Sequence, residues 1–344
     1  MRTILAAAVA LLAVQALHAQ NALEVLHIRG PIYFIAGAGA NITASVGPDG
    51  VLLVDTGTDQ MSARVIAALD DLRRATVPRE AAPAFGNLSK SRLEPERATP
   101  PPPKPLRFII NTHPDIAHMG GNAKLAATGK TITGGNVAGD LGDAGDTSAL
   151  YAHENVMLRM ARGGNGESGA MLPTDTYFTP YLKFSHYFNG EGIQINHMPN
   201  AYTDGDSMVW FRGSDVIVAG DVFSTTGYPP IDVARGGGVD GVIEALNDIL
   251  DIAFPEFRLE GGTMIVPGHG AISDSADVAY YRDMVTKIRD RVQASMKKGL
   301  TLQQIQASRP TRDYDPRYAG GSVQPEQFVE SIYRSLTQQP RGRS

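Results

Sequence analysis

The chain has 344 residues, of which 42% are hydrophobic and 19% are charged, a composition typical of a folded globular protein. Its formal net charge of −5 provides no basic surface, so we expect no nucleic-acid partner. Because the chain contains no cysteine, disulfides, cysteine-bound zinc and a cysteine nucleophile are excluded. Any metal ion must therefore be bound by histidine, aspartate, glutamate or tyrosine.

The first residues have the pattern of a secretory signal peptide. Arg2 provides a positive charge, residues 4–17 form an apolar run interrupted only by Gln15, and Ala19 is a small residue suited to cleavage. A retained membrane anchor is the alternative, but about 14 residues is short of the roughly 20 that a helical span needs. We therefore predict that residues 1–19 are removed, that no stable membrane span remains, and that the protein is periplasmic or secreted.

The predicted elements of the mature chain begin with β-strands. Short runs of β-branched and aromatic residues, separated by glycines, occupy residues 25–28, 32–35, 42–46 and 51–54. The last run is continuous and is closed by Asp55, which indicates a buried strand that ends in a loop. A helix is predicted next, at residues 61–72, with Asp59 as its N-cap.

The segment at about residues 75–106 differs from its surroundings because it combines eight prolines with charges of both signs. We interpret it as an exposed insertion rather than a domain. A lid beside an active site is the alternative interpretation.

The rest of the chain alternates strands and helices. Strands are predicted at residues 106–110, 192–198, 207–212, 216–219 and 264–266, and helices at residues 150–162, 239–252 and 276–296. Two halves, each β-rich and then helical, predict an α/β (α+β) fold with two sheets face to face and helices outside. Residues 310–344 are predicted to form a helical tail packed on the domain, because Phe328, Val329 and Ile332 form an apolar stripe.

Histidine and aspartate collect in the loop after the strand at residues 106–110. This loop has the sequence His-Pro-Asp-Ile-Ala-His-Met-Gly-Gly-Asn and contains His113, Asp115 and His118. Imidazole and carboxylate groups suit zinc, iron or manganese. We interpret the loop as a candidate metal site.

Three further loops contain the remaining candidate residues. Tyr202 lies in Asn-Ala-Tyr-Thr-Asp-Gly-Asp-Ser, Asp221 follows a glycine at a strand end, and His269 lies in Pro-Gly-His-Gly. By itself, Asp55 is interpreted as a turn residue.

Five other polar residues are interpreted as structural. Asp204 and Asp206 flank a glycine in a predicted turn. His153, in the first helix after the loop, is expected to bond locally rather than to bind a metal. His186 and His197 lie in strand-like segments and are expected to be structural.

Taken in this order, the strand-end motifs resemble those of the metallo-β-lactamase superfamily. The resemblance covers roughly residues 22–297, from Val-Asp-Thr-Gly through the histidine-rich loop to Thr-Asp-Gly-Asp-Ser, Gly-Asp and Pro-Gly-His-Gly. It implies a four-layer αββα sandwich, and we assign residues 20–309 to this domain, including the insertion.

The chain departs from the pattern of the family it resembles. The usual loop is His-x-His-x-Asp-His, in which His113 and His118 match, whereas Asp115 replaces the second histidine and Ala117 replaces the aspartate. Tyr202 stands where the family has a histidine.

Asp221 and His269 match the family's bridging carboxylate and its last histidine. With His118, they are implied to hold one Zn²⁺ with an open coordination position; iron, manganese or no ion are the alternatives. The resemblance implies that a second ion would be offered His113, Asp115, Tyr202 and Asp221, and a phenol of pKa about 10 is a poor ligand.

Ala117 removes the carboxylate that the resemblance assigns to orienting water and passing protons, and a methyl group can do neither. Such acid–base help is worth about 10²–10⁴-fold. Asp115 is the candidate replacement base, and Tyr202 is a candidate donor to a developing oxyanion.

Two main hypotheses follow for the function. The first is an exported hydrolase with one metal ion, acting on an ester, lactone or amide of a small molecule. The second is a catalytically inactive binding or scaffold relative with a vestigial metal site. A redox iron enzyme would use the same two histidines and carboxylate, but nothing further in the sequence supports it. The sequence leaves the oligomeric state open.

Overall fold

The computed structural model describes residues 23–76, 103–132, 143–162, 169–184, 187–253 and 261–338. The predicted signal peptide, most of the proline-rich insertion and His186 lie outside the described residues. None of the described helices is long and apolar enough to span a membrane.

The described strands and helices are numbered here in chain order. The strands are β1 (Glu24–Arg29), β2 (Ile32–Ala36), β3 (Ile42–Gly47), β4 (Gly50–Val54), β5 (Leu106–Ile110), β6 (Thr131–Ile132), β7 (Asp143–Ala144), β8 (Ala149–His153), β9 (Asp175–Tyr177), β10 (Tyr181–Lys183), β11 (Ile193–Met198), β12 (Asp206–Phe211), β13 (Val216–Ser224) and β14 (Met264–His269). The helices are α1 (Ser62–Thr76), α2 (Ile116–Met119), α3 (Asn122–Ala126), α4 (Glu154–Arg162), α5 (Val239–Ala253), α6 (Ser275–Lys297), α7 (Leu302–Ala307), α8 (Asp315–Tyr318) and α9 (Pro325–Thr337).

Two large β-sheets form the centre of the molecule. The first has the strand order β1-β2-β3-β4-β5-β8-β9 and the second has the order β10-β11-β12-β13-β14. Strands β4, β5, β8 and β9 pair in parallel, as do β13 and β14, whereas the other pairs are antiparallel. Phe34 and Ile110 of the first sheet share a buried core with Val209 and Val218 of the second. The two sheets therefore pack face to face.

Helices cover the outer face of each sheet. Val65 of α1 and Leu125 of α3 are buried against the first sheet. Val242 of α5, Ile288 of α6 and Phe328 of α9 belong to a separate core on the second sheet. Because each sheet hides one face against the other sheet and one against helices, the layers are α, β, β and α. The predicted αββα sandwich is confirmed.

The apolar stripe near the C-terminus lies on α9. Phe328, Val329 and Ile332 are buried, and α9 contacts both α5 and α6. This part of the tail therefore belongs to the helical layer over the second sheet.

Two local predictions are wrong. Residues 150–162 are not one helix, because β8 ends at His153 and α4 begins at Glu154. Pairing of β8 with β5 and β9 overrides the local helical pattern. Asp59 is not an N-cap but the first residue of a short 3-10 helix, which is preceded by Thr58 as its N-cap.

Candidate metal centre

The candidate residues meet at one end of the sandwich. Asp55 follows β4, the loop after β5 contains His113 and His118, β13 contains Asp221, and β14 ends at His269. The carboxyl ends of parallel strands share one edge of a sheet, which is where sites of α/β proteins form. The sheet topology therefore brings together residues that are far apart in the sequence.

Three of these side chains converge closely enough to hold a metal ion. The ligand atoms of His113, His118 and Asp221 all lie within 4.8 Å of one another. His118 Nε2 is 3.0 Å from Asp221 Oδ1, and His113 Nε2 is 3.5 Å from Asp221 Oδ2. His269 lies beside this group, with its Nε2 3.5 Å from Asp221 Oδ1 and 38% of its side chain exposed. It forms the solvent-facing side of the centre.

The residues present fit a metal ion. Within the described ranges, His113 Nε2, His118 Nε2 and Asp221 Oδ1 are buried and have no hydrogen-bond partner outside this group. An unpartnered buried polar atom costs about 1–3 kcal/mol, so a convergent set of three needs an explanation. Two imidazole nitrogens and a carboxylate oxygen are a donor set that suits zinc with an open position.

Asp55 is more than the turn residue inferred from the sequence, because it orients both imidazoles. Its Oδ2 accepts hydrogen bonds from His118 Nδ1 at 2.7 Å and from the Thr112 hydroxyl at 2.8 Å. Since that hydroxyl gives its only proton to Asp55, it accepts from His113 Nδ1, 2.8 Å away. Both imidazoles therefore keep a proton on Nδ1 and turn Nε2 towards Asp221, the arrangement of metal-binding histidines.

The backbone explains two of the motifs around this centre. Asp55 has a φ of 63°, a left-handed conformation that aspartate tolerates better than most residues. At Gly268, a Cβ atom would lie 2.0 Å from Asp221 Oδ1, so a larger residue would displace the carboxylate. The glycine of Pro-Gly-His-Gly therefore makes room for Asp221.

The charges at the centre are strongly coupled. Burial by itself would lower the pKa of His118, but the carboxylates of Asp221 and Asp55 hold that pKa well above its ordinary value. Burial would raise the pKa of Asp221, but His118 and His113 hold it well below its ordinary value. Burial lowers the pKa of His269, which favours the neutral imidazole that binds metals. In the metal-free protein, a proton on His118 therefore offsets the carboxylate charge.

Asp115 and Tyr202 form the other side of the site and contact each other. Asp115 caps α2 by accepting from the Ala117 N–H at 2.9 Å, and its other oxygen accepts from the Tyr202 hydroxyl at 3.2 Å. Asp115 is not part of the converging group of His113, His118 and Asp221. Burial raises the pKa of Tyr202, so its hydroxyl keeps its proton.

Arg235, which sequence reasoning missed, holds Tyr202 in place. Its Nε donates to Asp232 at 2.7 Å, Nη1 to the Pro114 carbonyl at 2.9 Å and Nη2 to the Tyr202 hydroxyl at 2.9 Å. The guanidinium also lies over the Tyr202 ring, 5.2 Å from its centroid. Arg235 therefore joins three loops around the site.

A cavity of about 300 Å³ lies between the two sides. It is large enough for a small molecule. Its wall includes Asp115, Ala117, Tyr202, Asp221, Ser224, Thr226 and His269. The Ala117 methyl group is therefore part of the cavity wall. A methyl group can neither donate nor accept a proton.

The residues interpreted as structural make structural contacts. His153 and His197 stack with ring centroids 3.7 Å apart, and a His197 ring nitrogen lies 2.8 Å from the Asp204 carbonyl oxygen. Asp206 accepts from both the N–H and the hydroxyl of Thr203, as in a turn. None of the four is one of the three converging residues of the metal centre.

Comparison with known proteins identifies the family. A family model described as the metallo-beta-lactamase superfamily matches residues 37–269, more than half of the chain. The comparison with curated proteins finds no match.

Solved structures give a consistent result for the fold. The stereoselective inverting sec-alkylsulfatase Pisa1 from Pseudomonas sp. has a TM-score of 0.58 and 17% identity, over 92% of this chain and 51% of the alkylsulfatase. The metallo-beta-lactamase from Pontibacter korlensis has a TM-score of 0.52 and 13% identity, over 77% of this chain and 99% of its own. The chain spans about half the length of the alkylsulfatase. Similarity at these identities concerns the fold alone, whereas the family model matches most of the chain directly: the chain belongs to the metallo-β-lactamase superfamily.

Proposed function

We propose that the protein is an exported, metal-dependent hydrolase that binds one ion and cleaves an ester, lactone or amide of a small molecule. The main observation in support is the group of buried atoms His113 Nε2, His118 Nε2 and Asp221 Oδ1, which converge and have no hydrogen-bond partner outside the group in the described part of the chain. Such a group is costly unless an ion binds to it or a proton on His118 joins it to Asp221.

The proposed ligands are His118, Asp221 and one further imidazole, that of His269 or of His113, so that one coordination position stays open. Zinc is the proposed ion because it prefers imidazole and carboxylate ligands in a site with an open position; iron and manganese are the alternatives. When bound, the ion would polarise the scissile carbonyl and acidify a water molecule. The side with Asp115 and Tyr202 is proposed to hold no ion, because these groups are hydrogen-bonded to each other.

Asp115 is the proposed proton acceptor in place of the carboxylate that is absent at Ala117. One of its oxygens is fixed by the Ala117 N–H, and the other contacts Tyr202 at the cavity wall. Tyr202 would donate to a developing oxyanion only by giving up Asp115, so we assign it the role of orienting that carboxylate.

Export is proposed from the signal-peptide pattern of residues 1–19. N-terminal sequencing of the protein recovered outside the cytoplasm should begin after Ala19. Recovery with Arg2 still attached would contradict removal of the segment.

We propose that sulfate esters are tested as substrates together with carboxylic esters, lactones and amides. One protein of similar fold is a sec-alkylsulfatase, although this similarity concerns the fold alone. The panel should therefore contain carboxylic esters, lactones, amides and alkyl sulfates.

A binding or scaffold role is the second candidate, and one observation favours it. The cavity wall has a methyl group at Ala117, and the nearby Asp115 and Tyr202 already bond to each other. A cavity without a free base would bind a small molecule without cleaving it.

Metal analysis and activity on the panel together test these candidates. Protein supplied with zinc should contain about one equivalent and should hydrolyse at least one substrate class. His118→Ala should lose both properties, whereas His27→Ala, which removes an exposed histidine, should lose neither. Metal without hydrolysis would favour the binding role, and no metal under any condition would contradict both the ion and the hydrolase.

A further inference from the structure

A second cavity lies on the other side of Tyr202. It has a volume of about 410 Å³, and none of the proposed metal ligands lines it. Its wall is built by the loop at residues 230–234 and by one face of the C-terminal helix α9; the lining residues used below are Tyr202, Pro230, Ile231, Ala234, Gln327 and Ser331.

The two cavities are neighbours that share part of their walls. Tyr202 and Pro230 line both of them. Arg235 holds the Tyr202 hydroxyl and stacks on its ring, so this shared wall is fixed in position. Tyr202 and Pro230 therefore form the boundary that a long molecule bound beside Asp221 would have to cross to reach the second cavity.

The charged side chains around the second cavity are already paired. Arg334 bonds to Glu330 at 2.5 Å, and Asp232 bonds to Arg235 at 2.7 Å. A charged group placed here would have to compete with these pairs, so the cavity offers it little net attraction.

The rest of the lining suits an uncharged group. Pro230, Ile231 and Ala234 give an apolar wall, and Gln327 and Ser331 face it from α9. Within the described residues, the Ser331 hydroxyl and Gln327 Nε2 make no hydrogen bond, whereas Gln327 Oε1 accepts from the Gln324 N–H. The hydroxyl and Nε2 can therefore bind a ligand.

We propose that this second cavity is a substrate subsite, which binds the unreactive, uncharged and largely apolar part of the molecule whose reactive bond lies at the metal centre. The inference rests on the proposed function and narrows its substrate class. It predicts a preference for small molecules with a neutral extension over short or charged ones.

The test compares three esters with the same leaving group: p-nitrophenyl acetate, hexanoate and 6-aminohexanoate. For the wild type, kcat/KM for the hexanoate should exceed that for the acetate by at least about 10-fold, mainly through KM, because each buried methylene is worth about fourfold. The positively charged ester should show little of this gain. Ser331→Trp and Ala234→Trp, which fill the cavity from opposite walls, should reduce the hexanoate-to-acetate ratio to about one. Thr337→Trp on the exposed end of α9 is the matched control and should keep the wild-type ratio.

Failure of the subsite and failure of the proposed function give different results. A wild type that hydrolyses the esters with a ratio near one, or that gains equally from the charged chain, overturns the subsite and leaves the hydrolase standing. If no ester is hydrolysed, calorimetric titration with hexanamide tests the subsite directly. Binding that Ser331→Trp abolishes and Thr337→Trp preserves supports the subsite, and absence of binding to the wild type overturns it.

Discussion

The two sides of the site differ in how their polar atoms are satisfied. On one side, His113, His118 and Asp221 direct buried atoms at one another, and these atoms have no hydrogen-bond partner among the other described residues. On the other side, Asp115 and Tyr202 bond to each other, and Arg235 bonds to Tyr202. Both sides are polar, but only the first leaves atoms that an ion would satisfy. Buried atoms that converge without outside partners, rather than the number of polar residues, therefore indicate where an ion binds.

Replacing the Asp221 carboxylate should have the largest effect on the difference between the two sides. Asp221→Asn keeps the shape of the side chain but removes its charge, so zinc affinity should fall by at least about 100-fold, with hydrolysis lost in parallel. Equilibrium dialysis with zinc measures the affinity. Unchanged affinity would mean that the ion does not bind at Asp221. The control Asp59→Asn, at an exposed carboxylate paired with Lys124, should bind zinc like the wild type.

Removing the group that orients the imidazoles should have the next largest effect. Asp55→Asn is compatible with the left-handed backbone conformation at this position. A neutral amide, however, accepts the hydrogen bonds from His118 and Thr112 more weakly than the carboxylate does. Changes of this kind cost about 10- to 100-fold in metal affinity. A zinc titration of the variant checks this value, and affinity equal to that of the wild type would show that Asp55 serves only the turn.

Zinc affinity should rise with pH because zinc and a proton compete for His118. The carboxylates of Asp221 and Asp55 raise the pKa of this histidine against the effect of burial. The proton therefore stabilises the metal-free protein fully below the unfolded pKa of about 6.5, and this stabilisation is lost as pH rises through the folded pKa. Below the folded pKa, zinc affinity should change by up to about tenfold per pH unit.

Calorimetry in buffers of different ionisation enthalpy should detect the release of about one proton per zinc at neutral pH. Zinc binding without proton release and without pH dependence would contradict the assignment of His118.

A substitution on the side formed by Asp115 and Tyr202 should change the stability of the protein rather than its metal content. Arg235→Met removes the donors to Asp232, Pro114 and Tyr202, so the free energy of unfolding should fall by about 1–3 kcal/mol. The zinc content should remain unchanged. Urea denaturation and elemental analysis measure the two quantities. Arg289→Met, which removes surface ion pairs, should cost less than about 1 kcal/mol.

The smallest effect is expected for the phenol itself. Tyr202→Phe keeps the ring but removes the bonds to Asp115 and Arg235, which should cost about 1 kcal/mol of unfolding free energy. Urea denaturation of the variant gives this value, with Tyr280→Phe as the control at an exposed tyrosine. Loss of the ion from the Tyr202→Phe protein would identify the phenol as a ligand and remove the distinction between the two sides.

The layers of the fold could be predicted from the sequence because their signals are local. The continuous apolar run of β4 and the apolar stripe of α9 identify a strand and a helix without knowledge of their partners. The helix predicted at residues 150–162 is wrong for residues 150–153, which belong to β8. This strand depends on pairing with β5, about forty residues earlier, which no local pattern predicts. Strands as short as β9 and β10 leave no periodic signal at all.

The site was predictable only to the extent that motifs identify individual residues. Strand-end motifs identify His118 and Asp221, and the structure places His118 Nε2 3.0 Å from Asp221 Oδ1. The role of Asp55 depends on His118, 63 residues away, and that of Arg235 on Tyr202, 33 residues away. No local pattern records such contacts, although the Val-Asp-Thr-Gly strand end was a signal that more than a turn was present.

Anomalous diffraction at the zinc edge, from crystals of the zinc-loaded protein, would locate the ion without any assumption about its ligands. We expect one peak, about 2.0–2.2 Å from His118 Nε2 and from an Asp221 oxygen, and no peak between Asp115 and Tyr202. A peak between Asp115 and Tyr202, or no peak within bonding distance of His118 and Asp221, would contradict this expectation.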